Sequence, residues 1–336
     1  MSAAEVVLLS QQCLQAGAWD QALAICEAMS ELGDPAVALC HAVATFVGGD
    51  APSALAELER VLAQHPEHLS ARAIQAQMLA RSGDRQGARA PLLELCARYP
   101  DYPGAHGLLA SLLMPGPHYR EVLLRFHEQL KPRTYLEIGV ESGATLALAR
   151  HSQLALGVDP APHPIKHELP AGARLFHETS DAFFANHSRE SLLGARRLDL
   201  CFIDGMHRFE NALADFAHAE RWAHAEATIV FHDCVPIVAR TASRERATNF
   251  WVGDTWKVVF ALAQSRPDLK IRSVLCPPSG LVVVRRLNPG SSLLLDDFSA
   301  IVAKFAGLDW QLAAGEVPVE FVAVGNDEQG WRDALA

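Results

Sequence analysis

Tyr135-Leu136-Glu137-Ile138-Gly139-Val140-Glu141-Ser142-Gly143 decides the fold, because an apolar run closing in acid-x-Gly-x-x-x-Gly reads as a strand feeding a glycine-lined turn. Glycine at 139 and 143 lets the main chain approach a ligand, and lets a helix expected over residues 144–150 pack on its strand. The pattern predicts a nucleotide-like ligand. A dinucleotide fingerprint would read G-x-G-x-x-G, and Glu137 stands where its first glycine would be. The next apolar run, Leu154-Ala155-Leu156-Gly157-Val158, closes on Asp159, 20 residues past Gly139. At about that distance an acid ending the second strand accepts hydrogen bonds from ribose hydroxyls in nucleotide-binding α/β folds.

Apolar strand-like runs alternate with helical stretches from there on, which predicts a parallel sheet covered on both faces. The strands fall at 134–139, 154–159, 173–177, 198–204, 227–233, 270–275 and 281–286. The last two flank Cys276-Pro277-Pro278-Ser279-Gly280, a hairpin-like turn that makes one strand antiparallel. With the glycine turn and Asp159, the segment resembles a class I S-adenosylmethionine-dependent methyltransferase. The run Phe202-Ile203-Asp204-Gly205-Met206-His207 with Phe209-Glu210, followed by His232-Asp233-Cys234, is similar to the methyltransferases often labelled type 24. The resemblance implies a Rossmann-like seven-stranded α/β sheet and S-adenosylmethionine as cofactor.

Upstream the chain repeats itself. Gly49 and Gly83, Ala54 and Ala88, Leu58 and Leu92, and Pro66 and Pro100 are each 34 residues apart, the tetratricopeptide period. Glycine ends the first helix of a unit, the small alanine lets two helices approach, and proline stops the second. Gly17 and Ala22 make an irregular earlier copy, so residues 1–114 resemble a short tetratricopeptide array of about three helix pairs plus a terminal helix. Such an array docks a protein segment or braces a neighbour. Met114-Pro115-Gly116-Pro117 breaks the pattern, giving a linker and bridging helix over 115–133, a methyltransferase-like domain over 134–288 and an extension over 289–336. That extension is a homodimer contact or an active-site cover.

With 29 basic against 39 acidic residues the net charge is -10, which disfavours a nucleic-acid partner. Seven cysteines without a C-x-x-C pair write neither a disulfide framework nor a zinc site. No signal-peptide pattern or membrane-length apolar run is present, so a soluble cytoplasmic protein is expected.

Ligands of open α/β sheets gather beyond the carboxyl ends of the strands, and here those ends carry acids. The resemblance assigns Glu137, Gly139, Gly143, Asp159, Ser180, Asp181 and Asp204 to the cofactor. Asp181 reads equally well as a helix cap before Ala182. Glu137, costly to bury alone, is expected to find backbone amides of the glycine turn or the cofactor's ammonium group. Asp204 and Asp233 close neighbouring strands, so their carboxylates could converge on Mg²⁺ or another divalent cation. Catechol-type relatives carry acid-Asn or acid-acid pairs after the fifth strand, and His232-Asp233-Cys234 departs from both.

His207 and His232, each beside a strand-end aspartate, are the candidate general bases, with Asp204 in the catalytic set. The segment from Arg240 through Arg244 to Trp251, Trp256 and Lys257 mixes cations with aromatic rings and could clamp an acidic substrate. Its plainer reading is a helix capped by Asp254 with Trp256, Val259 and Phe260 on the core face. The expected activity is methyl transfer to an oxygen of a small molecule or of a peptide- or carrier-linked group. A metal-dependent hydroxylase on the same fold and a non-catalytic adaptor are the rivals.

Overall fold

The computed structural model describes residues 1–336, the side chain of Leu32 excepted. The chain divides into two compact units, Met1–Leu112 and Leu113–Ala336.

The first unit is helical: α1 (Ala3–Gln15), α2 (Trp19–Glu27), α3 (Pro35–Val47), α4 (Ala51–Gln64), α5 (Leu69–Arg81), α6 (Arg85–Arg98) and α7 (Ala105–Leu113). Its helix starts are written in the sequence. Asp34, Asp50 and Asp84 each accept a hydrogen bond from a backbone amide of the first turn they precede, filling the orphan donors there. Gly49 and Gly83 take φ values of +101° and +89°, which suit glycine at a helix exit. Ala54 and Ala88 are fully buried where paired helices meet.

The second unit begins with α8 (Tyr119–Leu130) and builds one mixed sheet. Its strands are β1 (Thr134–Ile138), β2 (Leu154–Val158), β3 (Ala173–Phe176), β4 (Leu198–Ile203), β5 (Ala223–His232), β6 (Lys270–Val274), β7 (Leu281–Arg285) and β8 (Ala323–Val324). The order is β3-β2-β1-β4-β5-β7-β6-β8, with β7 alone antiparallel to its neighbours. The sheet thus has eight strands, the expected seven plus the two-residue β8 on the edge. Connections are α9 (Ser180–Asn186), α10 (Arg189–Leu193), α11 (Phe209–Trp222) and α12 (Lys257–Ser265), and the chain closes with α13 (Leu293–Asp296), α14 (Phe298–Ala306) and α15 (Glu328–Leu335).

The expected helix over 144–150 is a single 3-10 turn, Leu146–Leu148. Leu148 and Ala149 donate to carbonyls three residues back, at 3.0 and 3.2 Å, so the segment closes tighter turns instead of an α-helix. Val122, Leu123 and Phe126 of α8 and Trp331, Ala334 and Leu335 of α15 join Tyr135, Leu200, Phe202, Val230 and Val283 in one core. Burial of each large apolar side chain there contributes about 1.5–3 kcal/mol. Successive strands run outward from β1 in one direction and from β4 in the other, which opens a crevice beyond the carboxyl ends of β1 and β4.

Candidate functional site

That crevice is a cleft of about 630 Å³, within the range of small-molecule sites. Gly139, Val140 and Glu141 line one part with Asp159, Ser180 and Asp181, while Tyr119, Arg120, Asp204, Met206, His207, Asn211, His232 and Asp233 line the other. The glycine turn rises between them, with φ of +89° at Gly139 and +82° at Gly143. A Cβ on Gly139 would lie 2.0 Å from the Asp204 carbonyl oxygen. The glycine is therefore demanded first by the neighbouring strand end, and the backbone facing the cleft stays bare as a result.

Glu137 is completely buried below this turn, and its partners differ from those expected. Tyr135 donates its hydroxyl to Oε2 at 2.6 Å and Thr145 donates to Oε1 at 2.9 Å. Burial pushes the Glu137 carboxyl up to about 8 against those two donors. The side chain fastens β1 to the segment after the turn and does not line the cleft. Asp159 is also partly committed: Oδ2 accepts from the amides of Val140 and Glu141 at 3.0 and 2.9 Å, and Oδ1 from Ala161 at 2.9 Å. It shapes the turn while lining the cleft, leaving little capacity for the ribose contacts expected of it.

Thr179, not Asp181, caps α9, accepting from the Ala182 amide at 3.2 Å. Ser180 and Asp181 sit in that helix's first turn, at the cleft. Behind Ser180, Asp215 of α11 is buried and its carboxyl rises to about 7 through burial, against a hydrogen bond from Ser180.

At the ends of β4 and β5, four titratable side chains meet. His207 Nε2 lies 3.1 Å from Asp233 Oδ2 and 3.5 Å from Asp204 Oδ1, and His232 Nδ1 lies 3.1 Å from Asp204 Oδ1. Ser279 donates its hydroxyl to Asp233 Oδ1 and stands 3.3 Å from His232 Nε2. The Tyr119 ring stacks on His232 at a centroid distance of 3.9 Å. Burial alone would lower both imidazoles, but the carboxylates of Asp233 and Asp204 outweigh it, raising His207 to about 9 and His232 well above its ordinary range. Burial would likewise raise the two carboxyls, and the adjoining imidazolium charges hold Asp204 and Asp233 low instead. The carboxylates thus hold each ring towards its protonated form.

One ligand atom each from Asp204, His232 and Asp233 lies within 4.8 Å of the others. Oxygen and imidazole donors at that spacing fit a divalent cation, and the imidazole nitrogen suits Mn²⁺, Fe²⁺ or Zn²⁺ better than Mg²⁺. A cation there would replace the ring protons as the charge that balances the carboxylates.

The expected substrate clamp is engaged elsewhere. Trp256 is 2% exposed, donates its Nε1 to the Ala242 carbonyl at 3.3 Å and packs edge-on against Trp310. Lys257 is buried and donates to the Ala306 carbonyl at 2.7 Å. Arg244 pairs with Glu210 and with Asp254. Trp251 donates to the Ser243 carbonyl at 2.6 Å, and its ring centroid lies 5.5 Å from that of His207. Arg240 stands in a 3-10 turn, Ala239–Ala242, outside the cleft lining. Asp254 caps α11 rather than its own helix, taking the Phe209 amide at 2.8 Å. Tyr119, Arg120 and Ser279 went unsingled in the sequence; the only signal for the first two was their place at the start of the bridging helix.

The cleft thus joins a bare glycine turn at the switch point of an open sheet to a charged cluster at the neighbouring strand ends. Residues 136–234 match the family model described as "Methyltransferase domain". No curated protein matches the chain.

Solved structures similar to it include cofactor-bound Rv0187 from MTB, 17% identical, covering 58% of this chain and 95% of its own at a TM-score of 0.41. The O-methyltransferase from Bacillus cereus in complex with SAH is 13% identical, covering 57% and 96% at 0.38. The O-methyltransferase TomG from Streptomyces achromogenes, involved in tomaymycin synthesis and in complex with SAM, is 14% identical, covering 58% and 95% at 0.40. Among the described residues no helix is long and apolar enough to cross a membrane.

Proposed function

We propose that this protein transfers the methyl group of S-adenosylmethionine to a hydroxyl oxygen of a small molecule, or of a peptide- or carrier-linked group. The observation that carries the reading is the meeting of Asp204, His207, His232 and Asp233 at the mouth of the glycine-turn cleft. Bound S-adenosylmethionine would supply an electrophilic methyl on a sulfonium. Glu141, Asp159 and Asp181, the acids of the cleft outside the histidine-paired cluster, favour a cationic ligand. Gly139 and Gly143 keep the cleft wall bare, Asp159 holds the turn in shape, and Ser180 and Asp181 border the adenosine end.

A divalent cation held by Asp204, His232 and Asp233 would supply Lewis-acid charge that lowers the acceptor hydroxyl's pKa. His207 Nε2 faces the same cluster and, in its neutral form, would accept the hydroxyl proton. Tyr119 walls His232, and Ser279 keeps the His232 and Asp233 side chains in place. Holding hydroxyl and methyl in line supplies most of the acceleration.

The imidazole of His232 beside two carboxylates also favours a second reading, an iron-dependent hydroxylase, since nitrogen and carboxylate donors are the kinds such centres use. Mass spectrometry of a metabolite mixture incubated with the protein and S-adenosylmethionine separates them. A product heavier by one methylene supports methyl transfer; one heavier by a single oxygen, formed without consumption of S-adenosylmethionine, overturns it.

A further inference from the structure

The acceptor half of the cleft contains one cation that the cluster does not use. Arg120 is the only arginine or lysine among the lining residues, facing a wall otherwise charged by Glu141, Asp159, Asp181, Asp204 and Asp233. Its Nε donates to the Tyr119 hydroxyl at 3.1 Å, and its guanidinium lies 5.5 Å from the centroid of that ring. No carboxylate pairs with it among the described residues, whereas the arginines at 244 and 266 are both saturated by acids. Tyr119 is 7% exposed, held by its amide to the Pro277 carbonyl at 2.9 Å and by its stack on His232. The exposed guanidinium thereby rests against a ring that itself stacks on His232 of the cluster.

Helix stability does not account for a cation at this place. Arg120 is the second residue of α8, at the end where the helix dipole opposes positive charge. An anionic acceptor, by contrast, would be repelled by Glu141, Asp159 and Asp181, the acids outside the histidine-paired cluster, unless one fork on the wall received it. Beside the fork, the stacked Tyr119 ring and Met206, 60% exposed in the same cleft, offer an apolar seat.

We propose that Arg120 anchors the acceptor: the hydroxyl compound taken here carries a carboxylate or phosphate, with its flat apolar part against Tyr119. This rests on the methyl-transfer reading above. The test is calorimetric titration of the full chain, loaded with S-adenosylhomocysteine, using 4-hydroxybenzoate, phenyl phosphate and neutral 4-hydroxybenzamide. One or both anions are expected to bind at least about ten-fold tighter than the amide, the worth of a charge-assisted hydrogen bond. The better anion reports which source of charge the fork prefers. Arg120→Gln is expected to erase that preference with S-adenosylhomocysteine affinity kept, and Arg120→Lys to retain part of it.

Equal binding of amide and anions, no binding of either anion, or a preference that survives Arg120→Gln overturns the proposal. So does a variant that loses S-adenosylhomocysteine affinity instead, which would hand the fork to the cofactor's amino-acid end. Failure of the wild-type protein to bind S-adenosylhomocysteine at all defeats the methyl-transfer reading itself and is seen before any acceptor is added.

Discussion

His207 and Asp233, two residues leaving neighbouring strand ends, both adopt left-handed backbone, with φ of +53° and +54°, and their side chains meet at 3.1 Å. Non-glycine residues occupy that region at a cost of about 1–3 kcal/mol and persist where surroundings hold them. Here the Asp254 amide donates to the His207 carbonyl at 3.2 Å, and the Ser279 hydroxyl holds the Asp233 carboxylate. Both side chains line the cleft.

Asp233→Asn keeps the shape of the side chain and removes the charge that faces His207 and His232. Methyl transfer is expected to fall by about 10²-fold or more, the usual worth of a positioned acid-base group, and the thermal midpoint to fall too, because the two buried rings lose a carboxylate partner. Initial rates with labelled S-adenosylmethionine, beside a melting curve, check both halves.

The mixed donor set predicts a metal preference. Mn²⁺ or Zn²⁺ is expected to raise the thermal midpoint more than Mg²⁺, and at a hundred-fold excess over its dissociation constant a bound ion adds about 2.7 kcal/mol. Asp204→Asn should abolish the response. A midpoint indifferent to every divalent ion and to chelator would remove the metal from the account.

Glu137 gives stability a pH dependence of definite sign. Its folded pKa, about 8, lies above the ordinary carboxyl value of 4.5, so the native state binds the proton more tightly than the unfolded chain. Its favourable contribution is full below 4.5 and is lost as pH rises from 4.5 to 8, with a slope approaching about 1.4 kcal/mol per pH unit. Glu137→Gln, permanently neutral, should flatten that part of the curve. Urea melts of both proteins across this window, compared as a difference, measure it.

Asp254→Ala would strand the buried Lys257 ammonium, 3.3 Å from Oδ2, and leave the Phe209 amide without its acceptor. Breaking one side of a buried ion pair costs about 3–5 kcal/mol. Asp254→Asn, which can still accept the amide, should cost less. If both variants melt with the wild type, Asp254 holds nothing.

The sheet was legible because β2 and the carboxyl halves of β4 and β5 are apolar runs that close on Asp159, Asp204 and His232-Asp233. Asp204 and Asp233 were legible as neighbours for the same reason: both close adjacent strands. Tyr119 and Arg120 were not, since they precede β1 and reach the cleft only because α8 packs under the sheet. The aromatic and cationic stretch around Trp256 misled in the other direction, because periodicity marks a face without saying whether that face meets a cleft or a core. Asp254 illustrates a further limit, as a capping aspartate was readable but the helix it caps lies 45 positions away along the chain.

A crystal structure of the full chain with S-adenosylhomocysteine tests the central claim most directly. The account predicts adenosine between Asp159 and Asp181 over the bare backbone of Gly139, with the sulfur turned towards His207 and Asp233. The ligand bound elsewhere, or a cleft left empty at saturating concentration, would contradict it.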